Sequence, residues 1–516
     1  KQTSEKKSRG EPTTGMTRLV ELLGLPPECV KTFHQWLQTK PEPEAPSSDA
    51  KEDAVVLDPR SPRENAREFI KRCFTIDNDR TLVHHQDEYF VYERGRYRPI
   101  ELTAIHSKLY EFTETSFFKS GDKLEPFRPK QQNITTIEHA LRSLVLVEKN
   151  VLQPPCWISG IGPRPTDLVV CQNGIFDLAT GELMPHTPRL FTFNALNIDY
   201  DPAAPSPERW LQFLDEVFPD DEESIRTLQE IFGYLLTPET RQQKAFMMVA
   251  PPRSGKGTIA RVIEQLVGKP NFAGIHLASL GETFGLQPLI GKLVAVVTDA
   301  RLGSKSDKAA LVEKILSISG EDAVQINRKY IPQWEGRLAT RFFIHTNEVP
   351  NLPDASGAFV NRFIVLTTAS SFLGREDHAL GERLMTELPG ILRWAIEGWR
   401  RLRERGRFLQ PASAAELIEM FAKVSSPVKS FVDEWCHLGP DLRCDKERLY
   451  EEWVKWSNTQ GRGSFLSKDQ FCAKLYAAFP EVKPGKGSRS EGRPPELRGI
   501  CPNIDYWEPH QVKIPF

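Results

Sequence analysis

The chain has 516 residues, a length that predicts roughly three or four domains. Its 67 lysines and arginines nearly balance 69 aspartates and glutamates, for a formal net charge of −2. That balance excludes a protein that coats nucleic acid by bulk charge, but not one with a local basic channel. Hydrophobic residues at 39% and charged residues at 26% exclude a wholly disordered or collagen-like chain and can fill several cores without disulfides or metals.

The polar start, KQTSEKKSRG, carries positive charge with no apolar segment behind it, so it is not a signal peptide. A chain that begins at Lys1 reads as a fragment or trimmed form of something longer. Residues 1–15 are expected to be disordered, and a short helical pattern runs from Thr17 to Leu37. The proline- and charge-rich KPEPEAPSSDAKEDAVVLDPRSP then reads as a linker, closing a first segment at 1–62.

An α+β domain is expected over 63–205. It opens with the helix-like NAREFIKRCF, and TLVHHQDEYFVYERGRYRPI alternates like two strands around ERGR. Leu102, Ile105, Leu109 and Phe112, then Ile137, Leu141 and Leu144, recur at helical spacing. Strands return in DLVVCQNGIFDLATGELMPH, whose Asn-Gly and Thr-Gly pairs suit tight turns. Residues 206–243 read as an amphipathic helical pair, with Ser206 as cap and Pro207 in the first position.

From 244 to 424 short apolar strands alternate with helices: KAFMMVA, GTIARVIEQLV, KLVAVVT, ALVEKILSI, TRFFIHT. That order predicts a βα layered domain with a buried, largely parallel sheet, followed by a helical segment from Gly374 to Gly406. The last part, 425–516, carries three helical patterns and the basic KPGKGSRSEGR, the pattern of a small winged-helix domain with that stretch as its wing. No apolar run approaches the ~18 residues of a membrane span. Eight scattered cysteines without a C-x-x-C pair indicate reduced thiols in a cytoplasm, with neither a zinc site nor a disulfide framework.

The strongest chemical signal is MMVAPPRSGKGTIARVI, an apolar strand entering a loop that an amphipathic helix leaves. Backbone amides of such a loop and the helix N-terminus make an anion site, so Pro252, Arg253, Ser254, Gly255, Lys256, Gly257, Thr258 and Ile259 are the expected phosphate-binding run. Lys256 would reach the β- and γ-phosphates of ATP, and Thr258 would meet Mg2+. Ala250 stands where the G-x-x-x-x-G-K pattern has its first glycine. PPRSGKGT also looks like the loop of adenylate-type nucleotide kinases, which place it at the start of their domain and not after some 240 residues.

Downstream, Asp299 closes the strand KLVAVVTD at a place suited to a metal-bound water. Asn347 ends the strand RFFIHTN, where an amide could orient the attacking water, and Arg362 precedes another apolar strand, where a guanidinium could be delivered to a neighbour's γ-phosphate. His345, mid-strand between apolar residues, reads as structural. VQINRKYIPQWEGRLATRF reads as two strands around a turn, with Arg328 and Lys329 near the end of the first.

With these motifs in view the chain resembles the superfamily 3 helicases of the AAA+ class, most closely the helicase part of phage and plasmid primase–helicases, the group with the poxvirus-type replicative ATPases. QNGIFDLATGELMPHTP is similar to that family's pre-motor region, the 250–258 loop to its motif A, VAVVTDARL to motif B, and SGEDAVQINRKY to the motif that follows. FFIHTNEVPNLPDASGAFVNRF covers motif C and the arginine finger, and GREDHALGERLMTELPGILRWAIEGWRRL resembles the helical lid.

The resemblance implies an AAA+ P-loop ATPase core and a ring, hexameric as a rule, in the cytoplasm of a bacterial host. It makes Lys256 and Thr258 the phosphate and magnesium contacts, Asp299 the motif B acid and second metal ligand, Asn347 the sensor amide, and Arg362 the trans-acting finger. Many members have two adjacent acids in motif B. Here Ala300 follows Asp299, so either Asp299 serves both roles or Glu313 or Glu321 contributes. The implied pore hairpin would put Arg328 and Lys329 on DNA phosphates, and the wing would add Lys483, Lys486 and Arg489. No primase signature is visible in the sequence, and the resemblance implies a primase domain or protein upstream. The expectation is an ATP-dependent DNA helicase on single-stranded or forked DNA. A DNA-binding initiator without processive unwinding is the alternative, and a nucleotide kinase is a third.

Overall fold

The structure, a computed structural model, describes residues 55–148, 152–298, 307–350, 352, 358–460, 466–486 and 495–503. The expected helix at 17–37, most of the linker, Asp299 and Arg489 lie outside the described residues. Contacts divide the chain into two units. One comprises the described residues up to His84 with Ile100–Leu146, and the other His85–Pro99 with Val147 onward.

The smaller unit packs helices α1 (Pro62–Cys73), α2 (Leu102–Glu114) and α3 (Gln131–Leu144). Most of their apolar stripes meet as expected: Ile105, Leu109, Phe112, Ile137 and Leu141 are buried, whereas Leu102 at the start of α2 is exposed and Leu144 only half-buried, and the Phe69 and Phe112 rings lie 5.3 Å apart. An antiparallel hairpin, Phe117–Ser120 with Lys123–Pro126, completes it.

Two strands were expected over residues 81–100 and three are present, Leu82–His85, Glu88–Glu93 and Arg96–Ile100. A turn at Gln86 and Asp87, both at positive φ, divides the first expected strand. Aspartate tolerates that left-handed conformation better than most residues, which is why the sequence can turn there without glycine.

In the larger unit an antiparallel trio, Leu168–Cys171, Gly174–Asp177 and Leu183–Met184, precedes helices α4 (Glu208–Val217) and α5 (Glu222–Leu235). The cap on α4 is not Ser206. Glu387, far along the chain, accepts from the backbone N–H groups of Arg209 and Trp210 at 2.9 Å each. A carboxylate meets the positive helix end better than a hydroxyl, and only the fold brings it there.

The centre is a five-stranded sheet of β1 (Ala245–Val249), β2 (Phe272–Ile275), β3 (Val294–Val297), β6 (Arg341–Thr346) and β7 (Phe363–Thr367). Its order is β2-β3-β6-β1-β7 and every pairing is parallel. Between β3 and β6 lie helix α7 (Lys308–Ser319) and an antiparallel hairpin, β4 (Val324–Ile326) with β5 (Trp334–Gly336).

Side chains alternate between two cores. Phe246, Met248, Val296, Phe343 and Leu366 join α4, α5, α6 (Lys256–Val267) and α10 (Leu388–Arg405) on one face. Met247, Val297, Phe342, Ile344 and Val365 join α7 and α11 (Ala415–Ser425) on the other. Both faces being covered explains why these strands read as continuous apolar runs. The expected helical segment over 374–406 consists of α9 (Leu380–Thr386) and α10; the short helix α8 (Ala358–Asn361) precedes them. Helices α5 and α10 approach through glycines, for a Cβ on Gly233 would sit 2.3 Å from the Ala395 carbonyl and one on Gly398 2.2 Å from that of Gln229.

The C-terminal part packs α12 (Pro427–Trp435), α13 (Lys446–Thr459) and α14 (Lys468–Ala478) on an antiparallel sheet of β8 (Cys436–Asp445), β9 (Lys483–Lys486) and β10 (Pro495–Pro502), in the order β8-β10-β9. Trp453 and Trp456 are buried in this core.

Candidate functional site

The loop after β1 leaves the sheet at its C-terminal edge, where open α/β sheets bind ligands. Ala250 N–H donates to the Thr346 carbonyl at 3.1 Å, which ties the loop to the end of β6 and so to Asn347. Gly255, at φ +91°, caps α6; a Cβ there would come within 2.9 Å of the Phe213 ring. A residue with a side chain is therefore excluded by both conformation and space.

Lys256 folds back over the loop. Its ammonium donates to the carbonyls of Ala250 at 2.5 Å and Pro251 at 2.7 Å, to Ser254 Oγ at 3.2 Å and to Asn347 Oδ1 at 3.0 Å. Burial lowers its pKa. The lysine and the amide expected to act together are in contact, although 91 residues separate them. Ser254 is buried, whereas a Cβ on Gly257 would meet nothing within 4 Å, so the helix opens toward space there. Thr258 Oγ1 accepts from Arg261 at 3.2 Å. Ile259 belongs to the core, with its side chain buried and its N–H on the Gly255 carbonyl at 3.0 Å. It contributes packing and no ligand contact.

Above the loop lies a cavity of about 960 Å³, bounded by the Pro252–Thr258 run, Phe213 of α4, Phe372, Arg375 and α9. The segment 371–376 is fastened to the loop: Ser371 Oγ donates to the Pro252 carbonyl at 3.0 Å, Phe372 N–H to that of Arg253 at 2.8 Å, and Arg253 meets Glu376 at 3.6 Å. Phe213, Arg261 and Arg375 escaped the sequence reading. Arg261 could have been found from its place one helical turn after Thr258.

Asp299 follows β3, which lies beside β6 and not beside β1. The strand that precedes that acid is thus one removed from the strand that enters the loop. Glu321 accepts from Thr240 at 2.5 Å and lies, like Arg362, at the opposite, N-terminal edge of the sheet. It is therefore not a base for its own chain's loop. Glu313 is exposed on α7. Arg362 donates to the side chain and carbonyl of Gln243, and its own carbonyl receives the N–H of Ala245 at the start of β1. A five-residue strand spans about 16 Å, so Arg362 cannot reach the loop of its own chain.

The hairpin 324–336 forms as expected, but Arg328 is turned inward. It is buried, paired with Glu88 at 2.7 Å and donating to the Pro332 carbonyl at 2.8 Å. A guanidinium taken out of water needs a carboxylate partner, and Glu88, 240 residues away, supplies it. Only Lys329 of the expected cation pair is exposed. Lys483 and Lys486 are exposed too, but three residues apart on one strand they point to opposite faces.

His345 is buried against Phe343, with ring centroids 4.7 Å apart, and its Nε2 has no hydrogen-bond partner among the described residues. Burial first, and Lys256 second, depress its pKa from 6.5 to about 3. The unfolded chain therefore takes up this proton before the folded one. The stability at stake is fully present above pH 6.5 and is lost as pH falls toward 3, about 2 kcal/mol of it by pH 5. In urea unfolding at pH 7 and pH 5, His345→Leu should lose about 2 kcal/mol less over that interval than the wild type. Equal losses would mean that His345 is not held neutral.

A glycine-capped helix N-terminus, a clasped lysine and a strand-end amide thus meet at the C-terminal edge of the parallel sheet of an α/β protein. Residues 248–362 match a family of unknown function, DUF5906. Residues 163–219 match the D5 N terminal like family, which supports a relationship to phage-type primase–helicases. Among solved structures, the chain is similar to the apo structure of the NrS-1 C terminal region (305-718), at TM-score 0.48 and 12% identity, over 86% of this chain and 100% of that one. An A-form apo structure of the same region aligns at TM-score 0.44 and 13% identity, over 78% and 84%.

Proposed function

We propose that the chain is an ATP-driven DNA translocase, the helicase part of a phage- or plasmid-type primase–helicase acting in a bacterial cytoplasm. The observation that carries this reading is the contact of Lys256 with Asn347 beneath the cavity. The cation that would seek phosphate and the amide that would orient water are thereby at one point, on the strand edge where a nucleotide would lie. The strand order, with β1 between β6 and β7, suits an AAA+ core, and the three helices with their sheet suit a winged helix. No helix among the described residues is long and apolar enough to cross a membrane.

Mg2+ is the cation that such a site would take. Thr258, on the cavity wall at the helix N-terminus, and Asp299 would hold it. The ion would neutralise charge on the β- and γ-phosphates. Lys256 would trade its carbonyl acceptors for phosphate oxygens, Asn347 would hold the attacking water, and Arg362 would serve the site of a neighbouring subunit. That last role requires a ring, hexameric in the family the chain resembles. Lys329 at the hairpin tip would track single-stranded DNA.

The inward turn of Arg328 favours a second reading, a replication initiator that uses ATP to assemble on DNA without processive unwinding. Strand displacement on a forked substrate separates the two. ATP-dependent release of the labelled strand is expected, and ATP-dependent binding without release would establish the initiator in its place.

A further inference from the structure

The exposed face of the C-terminal sheet carries a row of cations that the sequence does not reveal, because its members come from three separate stretches of chain. Arg443 of β8 is paired in register with Arg498 of β10, and Arg498 with Lys483 of β9. Directly paired residues point to the same side of a sheet, and all three are exposed, whereas Cys444 and Leu497, the next pair in register, are buried. With strands about 4.8 Å apart the row spans about 10 Å. None of the three is ion-paired among the described residues. Like charges directly opposite one another destabilise a sheet, so the fold holds this row against its own electrostatics.

Acids lie nearby without neutralising it. Asp445 and Glu496 form the next outward pair. The Asp445 carboxylate is engaged by the N–H groups of Glu447 and Arg448 at the start of α13, and Asp441 and Glu481 are exposed at the margins. The helical side of the same domain contrasts with this face. There Lys468 is paired with Glu447, and Lys446 with Asp469 at 3.3 Å.

We propose that this sheet face, through Arg443, Arg498 and Lys483, binds the phosphate backbone of duplex DNA. A duplex carries one charge per ≈ 1.7 Å of axis, roughly twice the density of one strand, and its phosphates are reached without unstacking a base. Recognition of a single strand would call for aromatic platforms. The row holds none, and Trp453 and Trp456 are committed to the core. The surface grips a duplex without reading its sequence. It deepens the proposed translocase by giving it a second hold on DNA, away from the hairpin.

The test uses the full chain without nucleotide, so it reads duplex binding whether or not the chain hydrolyses ATP. Binding of a fluorescent 20-base-pair duplex is titrated at several salt concentrations, for the wild type and for a triple variant carrying Arg443→Ala, Arg498→Ala and Lys483→Ala. Loss of three phosphate contacts should reduce the slope of log affinity against log salt by about 2.7. The loss of affinity between 50 and 200 mM salt then shrinks about forty-fold. Arg443→Lys with Arg498→Lys should keep the slope, as should Lys468→Ala. Circular dichroism establishes that the triple variant is folded, and if it is not, the same slope is read on each single variant, at about 0.9 apiece. An unchanged slope overturns the proposal. So does an equal loss on a single strand of the same length, and so does binding to phosphatidylglycerol vesicles that exceeds binding to the duplex.

Discussion

Lys256→Ala is expected to lower ATP hydrolysis at least ~10²–10³-fold, a loss of about 3–4 kcal/mol of transition-state stabilisation. Two features of the site lead to that size. The ammonium is held at the mouth of a helix N-terminus by Ala250, Pro251, Ser254 and Asn347, so a phosphate arriving there meets a cation already in place. The substitution also removes the ammonium that donates to the Asn347 amide oxygen. Circular dichroism should show the variant folded, because Ile259, Val262 and Ile263, which pack α6 into the core, are untouched. Phosphate release, measured with and without DNA, is the readout, alongside duplex binding without nucleotide, which should persist. Hydrolysis equal to the wild type would sink the assignment of the loop.

Arg362→Ala is expected to lower hydrolysis by ~10³–10⁵-fold, the range for an arginine that stabilises transferring phosphate, although the side chain lies nowhere near the loop of its own chain. Its position at the N-terminal edge of the sheet, across the strand from the loop, means that in the proposed ring it would act on a neighbouring subunit's site. That geometry makes a prediction a structural role would not. Mixed with Lys256→Ala chains, Arg362→Ala chains should regain activity, because each supplies what the other lacks. In a ring mixed one to one, about one interface in four would combine an intact loop with an intact finger. Recovery toward a quarter of wild-type activity is expected, and no recovery at any ratio would remove the trans role.

What could be read from the sequence depended on how local its cause was. Four of the five strands of the parallel sheet were legible because burial on both faces leaves runs such as Val294–Val297 with no polar member, whereas the short edge strand Phe272–Ile275, with Gly274 inside it, was missed. The hairpin at 324–336 and the helices from 428 onward were legible for similar local reasons. Strand β8 was not. Its Gly439-Pro440 pair reads as a breaker, yet β8 is an edge strand with a bulge between Leu438 and Arg443, where proline is tolerated.

The site shows the same division. Lys256 announces itself by the strand, loop and helix around it, and Asn347 by the end of the strand that it follows. The Glu387 cap on α4, the Glu88 partner of Arg328 and the alignment of Arg443 with Arg498 each join distant stretches of chain, and no window of sequence contains both members.

The four acceptors around Lys256 also bear on how a catalytic cycle would end. A lysine that met only phosphate would be left stranded in a poorly hydrated niche whenever the nucleotide departed, and would resist letting products go. Here the ammonium has neutral oxygens waiting within the loop itself, so it can swap one set of partners for the other at little net cost. Between nucleotides the loop would be a resting place for that charge, and the proposed motor could discard spent nucleotide without first having to find the next.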